Sequence, residues 1–288
     1  MPIDLDKALG ADPVHADIAW TRRDVLLYHL SLGAGSGADP ELHWTFERDL
    51  QVLPTFALVA GQGPSSGDRD PEPPALPGVD VDLRRILHAG QSLTVHRPLP
   101  PAGTATVSSR IANVWDKGKA AVIEYERAAT GADGDPLWTA TMQIWARGEG
   151  GFGGDPGPDG AWSAPEAGPD TVLETPTTAA QALVYRLNGD LNPLHADPEF
   201  ARAAGFDRPI LHGLASYGLV AKALVDGLLD GDAARLTGLS ARFAGSLFPG
   251  QTIRSSLWRD GDRILLESTC PERDGAPVLN RAVAQVRS

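Results

Sequence analysis

At the midpoint of the chain, residues 148–169 read GEGGFGGDPGPDGAWSAPEAGP, with 8 glycines and 4 prolines in 22 positions. Neither a helix nor a central strand suits such a composition. Glycine loses the most backbone entropy on ordering, and proline has no N–H to donate. The chain must therefore start folding afresh on either side. A first module over 1–147, a connector over 148–175 and a second module over 176–288 are expected. A similar stretch at 61–78, GQGPSSGDRDPEPPALPG, reads as a long surface loop inside the first module.

The two halves echo each other. PLPPAGTATVSS ends at Ser109 and is followed by Trp115-Asp116-Lys117-Gly118, while SLFPGQTIRSS ends at Ser256 and is followed by Trp258-Arg259-Asp260-Gly261. An offset of about 145 residues, half the chain, suggests duplication of one fold unit. In the first half, Thr21-Arg22-Arg23-Asp24 has the form of a capping box before a helix that Gly33 stops. Segments 104–114, 119–128 and 137–147 carry strand residues, with Asp116-Lys117-Gly118 as a hairpin turn. In the second half, residues 213–228 form a largely apolar helix, which implies burial. Strands follow at 237–244, 251–259, 262–270 and 277–287. One helix followed by several antiparallel strands, twice over, gives an α+β fold.

Composition excludes several classes. Hydrophobic residues are 42% of the chain, enough for a core, and no apolar run approaches the roughly 18 residues of a membrane helix. One cysteine, Cys270, leaves no disulfide framework and no cysteine-based zinc ribbon. A net charge of −12 argues against nucleic-acid or anionic-membrane partners, though not against a small anion at a local basic patch. MPIDLDKALGADP lacks the pattern of a secretory signal and VRS is not a Ser-Lys-Leu address, so the cytoplasm is the expected location.

The chemistry concentrates in residues 185–213, YRLNGDLNPLHADPEFARAAGFDRPILHG. Asp190, Asn192 and His195 fall within 6 positions, and Pro193 keeps Asn192 out of a helix. Their side chains can then converge from an irregular backbone. A loop network that only satisfies itself is the bland alternative. Asp197-Pro198 starts a short helix, with Asp197 as its cap. Further on, Ile210-Leu211-His212-Gly213 runs into the apolar helix. The first N–H groups of a helix are unpaired and carry the positive end of its dipole. Gly213 has no side chain to keep a carbonyl oxygen away from them, although close packing alone would also explain a glycine. Asp190, His195 and His212 could in principle hold a metal. Gly33-Ala34-Gly35-Ser36-Gly37 follows a helix instead of a strand, so it reads as a helix stop and not as a dinucleotide loop.

The run Tyr185-x-x-Asn188-Gly189-Asp190-x-Asn192-Pro193-Leu194-His195, with Ala201 and Pro209-Ile210-Leu211-His212-Gly213, resembles the hydratase 2 motif. That motif marks MaoC-like dehydratases and (R)-specific 2-enoyl-CoA hydratases. Leu53-Pro54-Thr55-Phe56, Leu87-His88, Ser92-Leu93-Thr94-Val95, Arg97-Pro98-Leu99-Pro100 and Asp116-Lys117-Gly118 are similar to the first half of the two-module members. The resemblance implies a double hot dog fold: two modules, each an antiparallel sheet wrapped around a long helix. The first would be catalytically degenerate and shape the substrate site. It also implies roles. Asp190 and His195 match the catalytic pair, Asn192 the residue that orients them, and Gly213 the oxyanion N–H donor. His88, Ala89, Lys117, Pro193, Leu194 and Phe243 match substrate-contact positions. Where the family usually shows His-Gly-Glu, this chain has His88-Ala89-Gly90.

The implied activity is reversible hydration of trans-2-enoyl-CoA to (3R)-3-hydroxyacyl-CoA, with an acyl-CoA thioester as ligand and CoA as part of the substrate. No metal and no redox cofactor are expected. Lys117, Arg208 and Arg242 are candidates for the CoA phosphates. A homodimer is expected by analogy. A dehydratase acting on acyl-carrier-protein thioesters, or a non-catalytic acyl-CoA-binding subunit, are the alternatives.

Overall fold

A computed structural model describes residues 3–67, 76–81, 86–158, 162 and 164–287. Among the described residues, ten strands form one antiparallel sheet. They are β1 (Val14–Trp20), β2 (Ile86–Val95), β3 (Gly103–Asp116), β4 (Ala120–Gly131), β5 (Pro136–Arg147), β6 (Thr171–Pro176), β7 (Leu236–Phe243), β8 (Thr252–Asp260), β9 (Arg263–Cys270) and β10 (Ala276–Val286). Their spatial order is β1-β3-β4-β5-β2-β7-β10-β9-β8-β6. Strands one to five and strands six to ten thus repeat one arrangement, as the echo in the sequence suggested. The halves meet where β2 pairs antiparallel with β7, Ser92 opposite Ser240.

The helices are α1 (Leu5–Gly10), α2 (Arg22–Ser31), α3 (Leu42–Thr45), α4 (Gln181–Tyr185), α5 (Pro198–Ala203) and α6 (Gly213–Leu228). α2 starts at the expected capping box, in which the Thr21 N–H donates to Asp24 Oδ2 at 2.7 Å. α6 has the bounds its apolar run predicts. Ala215, Leu219, Val220, Leu224 and Val225 on it are buried, and it packs on β6, β7, β8 and β10. This is the hot dog arrangement: a sheet curled around one helix, with the main core between them.

The first module differs from the expected pattern, because it has no equally long helix among its described residues. Its longest is the 10-residue α2. Between β1 and β2, the stretch that follows α2 and α3 holds a 3₁₀ segment, Pro54–Leu58, which touches α6. Gly61, Gly63 and Pro64 follow at once and prevent propagation. The loop expected at 61–78 contains a 3₁₀ turn at Pro64–Ser66, and its residues 68–75 lie outside the described residues.

The connector is shorter and more firmly held than its composition suggests. Residues 171–176 are β6, an edge strand paired with β8. Asp116, in the β3–β4 turn, accepts N–H groups from Gly118, Gly151 and Gly153 at 2.7–2.8 Å, and its own N–H donates to the Asp155 carbonyl. Gly151, Gly153 and Asp155 of the Gly-rich segment are fastened to that hairpin. A second, smaller core (Ile3, Ala8, Ile111, Ile123, Ile144) lies between α1 and strands β3 to β5.

Candidate active site

Two short segments bring the chemistry together at the start of α6. After α4, a 3₁₀ turn ends at Gly189, which has φ +114, a conformation that favours glycine. A Cβ there would meet Gln62 of the first module at 2.7 Å, so the chain can pass only as glycine. The Asn188 side chain donates to Ser31 Oγ at 3.0 Å and to the Tyr185 carbonyl at 2.8 Å, which ties the loop to α2. Pro193–His195 is a second 3₁₀ turn, capped by Asn192, whose Oδ1 accepts the Leu194 N–H at 3.0 Å. The Asn192 N–H in turn donates to Asp190 Oδ1 at 3.2 Å. Asn192 thus caps the turn that carries His195 and bonds the Asp190 side chain through its main chain.

His195 is buried and Asp190 is exposed. His195 Nδ1 lies 2.8 Å from the Ile210 carbonyl, and the Ile210 N–H donates to the Leu194 carbonyl. A carbonyl can only accept, so Nδ1 carries the proton and Nε2 keeps a free lone pair. Burial lowers the His195 pKa, more than the Ile210 carbonyl and the Asp190 charge raise it, so the ring is neutral at pH 7. Asp190, His195 and His212 each offer an atom within 4.8 Å of the others. His212 stacks on His195 with centroids 3.7 Å apart and planes at 26°, and its Nε2 lies 3.2 Å from the Asp190 carbonyl.

The stacked rings are a poor match to a zinc site. A zinc ion lies about 2.0–2.1 Å from each imidazole nitrogen, along a lone pair in the ring plane. Two rings stacked face to face share no such point. A proton-transfer site is the better fit.

The other expected residues fall on two sides. Gly213 is the first residue of α6, with its N–H beyond reach of any carbonyl in the helix. A Cβ on Gly213 would touch the Phe243 ring at 3.2 Å, so that ring stands over the helix end. Phe243 meets His88 edge to face at 4.7 Å. His88 senses the Asp190 charge, although burial dominates and lowers its pKa to about 4. Ala89 is the extra residue of a β-bulge, since His88 pairs with Ile144 and Gly90 with Gln143. Bulges re-aim neighbouring side chains. At Gly90, where the family shows an acid, a Cβ would meet Gln143 Oε1 at 2.8 Å.

Leu194 is half-buried and Pro193 exposed in the Pro193–His195 turn. Lys117 lies in the β3–β4 turn, two strand spacings or about 10 Å from β2, and no contact links it to the cluster. Arg208 lies over the Phe248 ring at 4.9 Å. Arg242 is exposed and adjoins Phe243 on β7, so alternation turns it to the other sheet face. Two cavities, of about 340 and 550 Å³, are lined by Leu50, Val95 and Leu99 and by Leu32, Gln181 and Lys222 respectively; neither includes Asp190 or His195. The contacts of His212 are what the sequence reasoning missed. Its place in Ile210-Leu211-His212-Gly213, one residue before the helix, was the available signal.

Two hot dog modules with an Asp–His pair at the N-terminus of the long helix α6 fit an acid–base hydro-lyase. The comparisons name the family. Residues 161–274 match the MaoC like domain, and residues 19–148 match the MFE-2 hydratase 2 N-terminal domain. The chain is 51% identical over 284 residues to enoyl-CoA hydratase ChsH3 of Mycobacterium tuberculosis, covering 97% of this chain and 98% of that one. It is 37% identical to peroxisomal enoyl-CoA hydratase 2 of Arabidopsis thaliana, covering 88% and 87%. The crystal structure of a MaoC-like dehydratase from Phytophthora capsici superposes with a TM-score of 0.88 at 30% identity, covering 99% of each chain. The chain belongs to the MaoC-like, hydratase 2 family.

Proposed function

We propose that the protein hydrates trans-2-enoyl-CoA to (3R)-3-hydroxyacyl-CoA, and catalyses the reverse dehydration. The observation that carries this reading is the Asp190–His195 pair, within 4.8 Å and beside the Gly213 end of α6. Names of relatives over nearly the whole chain support it.

The chemistry follows from the protonation states. A water held between the Asp190 carboxylate and His195 Nε2 meets two proton acceptors and no donor. The proton taken from water is therefore the one returned to C2, while the hydroxide adds to C3. Both halves arrive on one face, which is syn addition. As C3 is attacked, charge moves onto the thioester oxygen. The Gly213 N–H at the positive end of α6 is placed to receive it. Adding water changes no oxidation state, so the step needs no redox cofactor. The second module supplies the acid–base groups. The first supplies Ser31, Gln62 and His88 around them, which fits a shaping role. Lys117 is proposed to reach CoA only at the outer end of the ligand.

The test is loss of enoyl absorbance from crotonyl-CoA, with the product offered to (R)- and (S)-specific dehydrogenases. Wild type is expected to give the (R) product, and Asp190→Asn to lose about 10²–10⁴-fold in kcat. Wild type that turns over only carrier-protein thioesters, or neither thioester, refutes the reading. Two finer proposals go with it: a homodimer, checked by light scattering, and a cytoplasmic location, checked by fractionation. Among the described residues no helix is long and apolar enough to cross a membrane.

A further inference from the structure

His212 touches every working part of the site. Its carbonyl accepts the Ala215 and Ser216 N–H groups, which starts the helix that presents Gly213. Its Nε2 lies 3.2 Å from the Asp190 carbonyl, and its ring face lies on His195. The Tyr185 ring adjoins it at 4.9 Å. Its Nδ1 is buried without a hydrogen-bond partner among the described residues. A phenylalanine would fill the same space without desolvating that lone pair. What an imidazole adds is the bond to the Asp190 backbone.

Resting on the hydration reading above, we propose that His212 is a positioning residue. Its Nε2–H holds the main chain of Asp190 while its ring face holds His195, so one side chain sets the spacing of the pair. The titratable and charged groups facing it are His195, Asp190, Arg186 and Tyr185. Burial, then the His195 charge, oppose its protonation. The stack is consequently uncharged near neutral pH, and two imidazoles can remain in face contact. Misplacing a reacting group by about 1 Å can cost about 100-fold in rate, and that is the scale at stake.

The experiment compares the full chain as wild type, His212→Ala, His212→Phe and His212→Gln. Enoyl-CoA hydration should lose about 100-fold in kcat in the Ala and Phe variants, with KM changed less than about threefold. His212→Gln keeps an N–H for the Asp190 carbonyl and should recover at least about tenfold of that loss. Independently of turnover, the His195 Nδ1–H proton should give a slowly exchanging NMR signal in wild type and broaden in His212→Ala. His212→Phe preserves the packed ring, should His212→Ala fail to fold. The proposal is overturned by kcat within threefold of wild type in His212→Phe, by Gln no better than Phe, or by an unchanged His195 signal. Wild type without hydratase activity refutes the functional reading instead, and the NMR comparison then decides this proposal alone.

Discussion

Replacing Gly213 by proline removes one N–H and very little else. Proline is at home in the first turn of a helix, where its missing N–H has no carbonyl to bond. The residue before a proline must be extended, and His212 already is, at φ −58 and ψ 138. The added Cβ lies 3.2 Å from Phe243 Cδ1 and Cε1, so the ring must yield by a few tenths of an ångström. Gly213→Ala places the same atom against the same ring and keeps the N–H. The ratio of the two variants therefore isolates the donor. Loss of one oxyanion donor costs about 10²–10³ in kcat, or about 3–4 kcal/mol. We expect Gly213→Pro to be slower than Gly213→Ala by that factor in enoyl-CoA hydration, with thermal midpoints that agree. Equal kcat in the two variants would refute the oxyanion role.

Two more outcomes follow from geometry. His29 donates from Nδ1 to the Trp44 carbonyl at 2.9 Å and accepts the Leu53 N–H on Nε2 at 3.2 Å, so a second proton would break the latter bond. Burial lowers its pKa to about 4. Below the unfolded value of about 6.5 the unfolded chain binds the proton first, so stability falls as pH drops from there toward 4. His29 alone should remove about 2 kcal/mol between pH 8 and pH 5. His88 and His195 act in the same direction. Urea unfolding with equal midpoints at pH 8 and pH 5 would contradict this. Asp116→Ala leaves the Gly118, Gly151 and Gly153 N–H groups without their acceptor. Limited proteolysis should then cut within 148–158 faster than in wild type, while far-ultraviolet circular dichroism is unchanged.

Much of this was legible because it is local. The capping box at Thr21, the apolar run of α6, the Asp197-Pro198 helix start and the turn at Asp116 are each set by neighbours a few positions apart. Spacing records such interactions. The connector shows the limit. Its glycines speak for flexibility, but the Asp116 carboxylate that holds them is 35 residues from Gly151. The first-module helix read from the Thr21 capping box to the Gly33 stop is α2, but its length relative to α6 is a matter of packing, and the segment that touches α6 from the first module is the short 3₁₀ stretch Pro54–Leu58.

The sequence by itself determined which residues could do chemistry: an aspartate and a histidine on a chain kinked by Pro193, and a glycine at the head of an apolar helix. It also determined that the fold unit occurs twice, because the same turn and strand pattern recurs. Only the tertiary structure decided how those residues are held. Ser31 meets Asn188 across 157 positions, Gln62 leaves room only for Gly189, and His212 bridges Asp190 and His195. The physical reason is that a residue's periodicity records which face of its own element is buried. It carries no record of which distant side chain closes on that face once the two halves pair along β2 and β7.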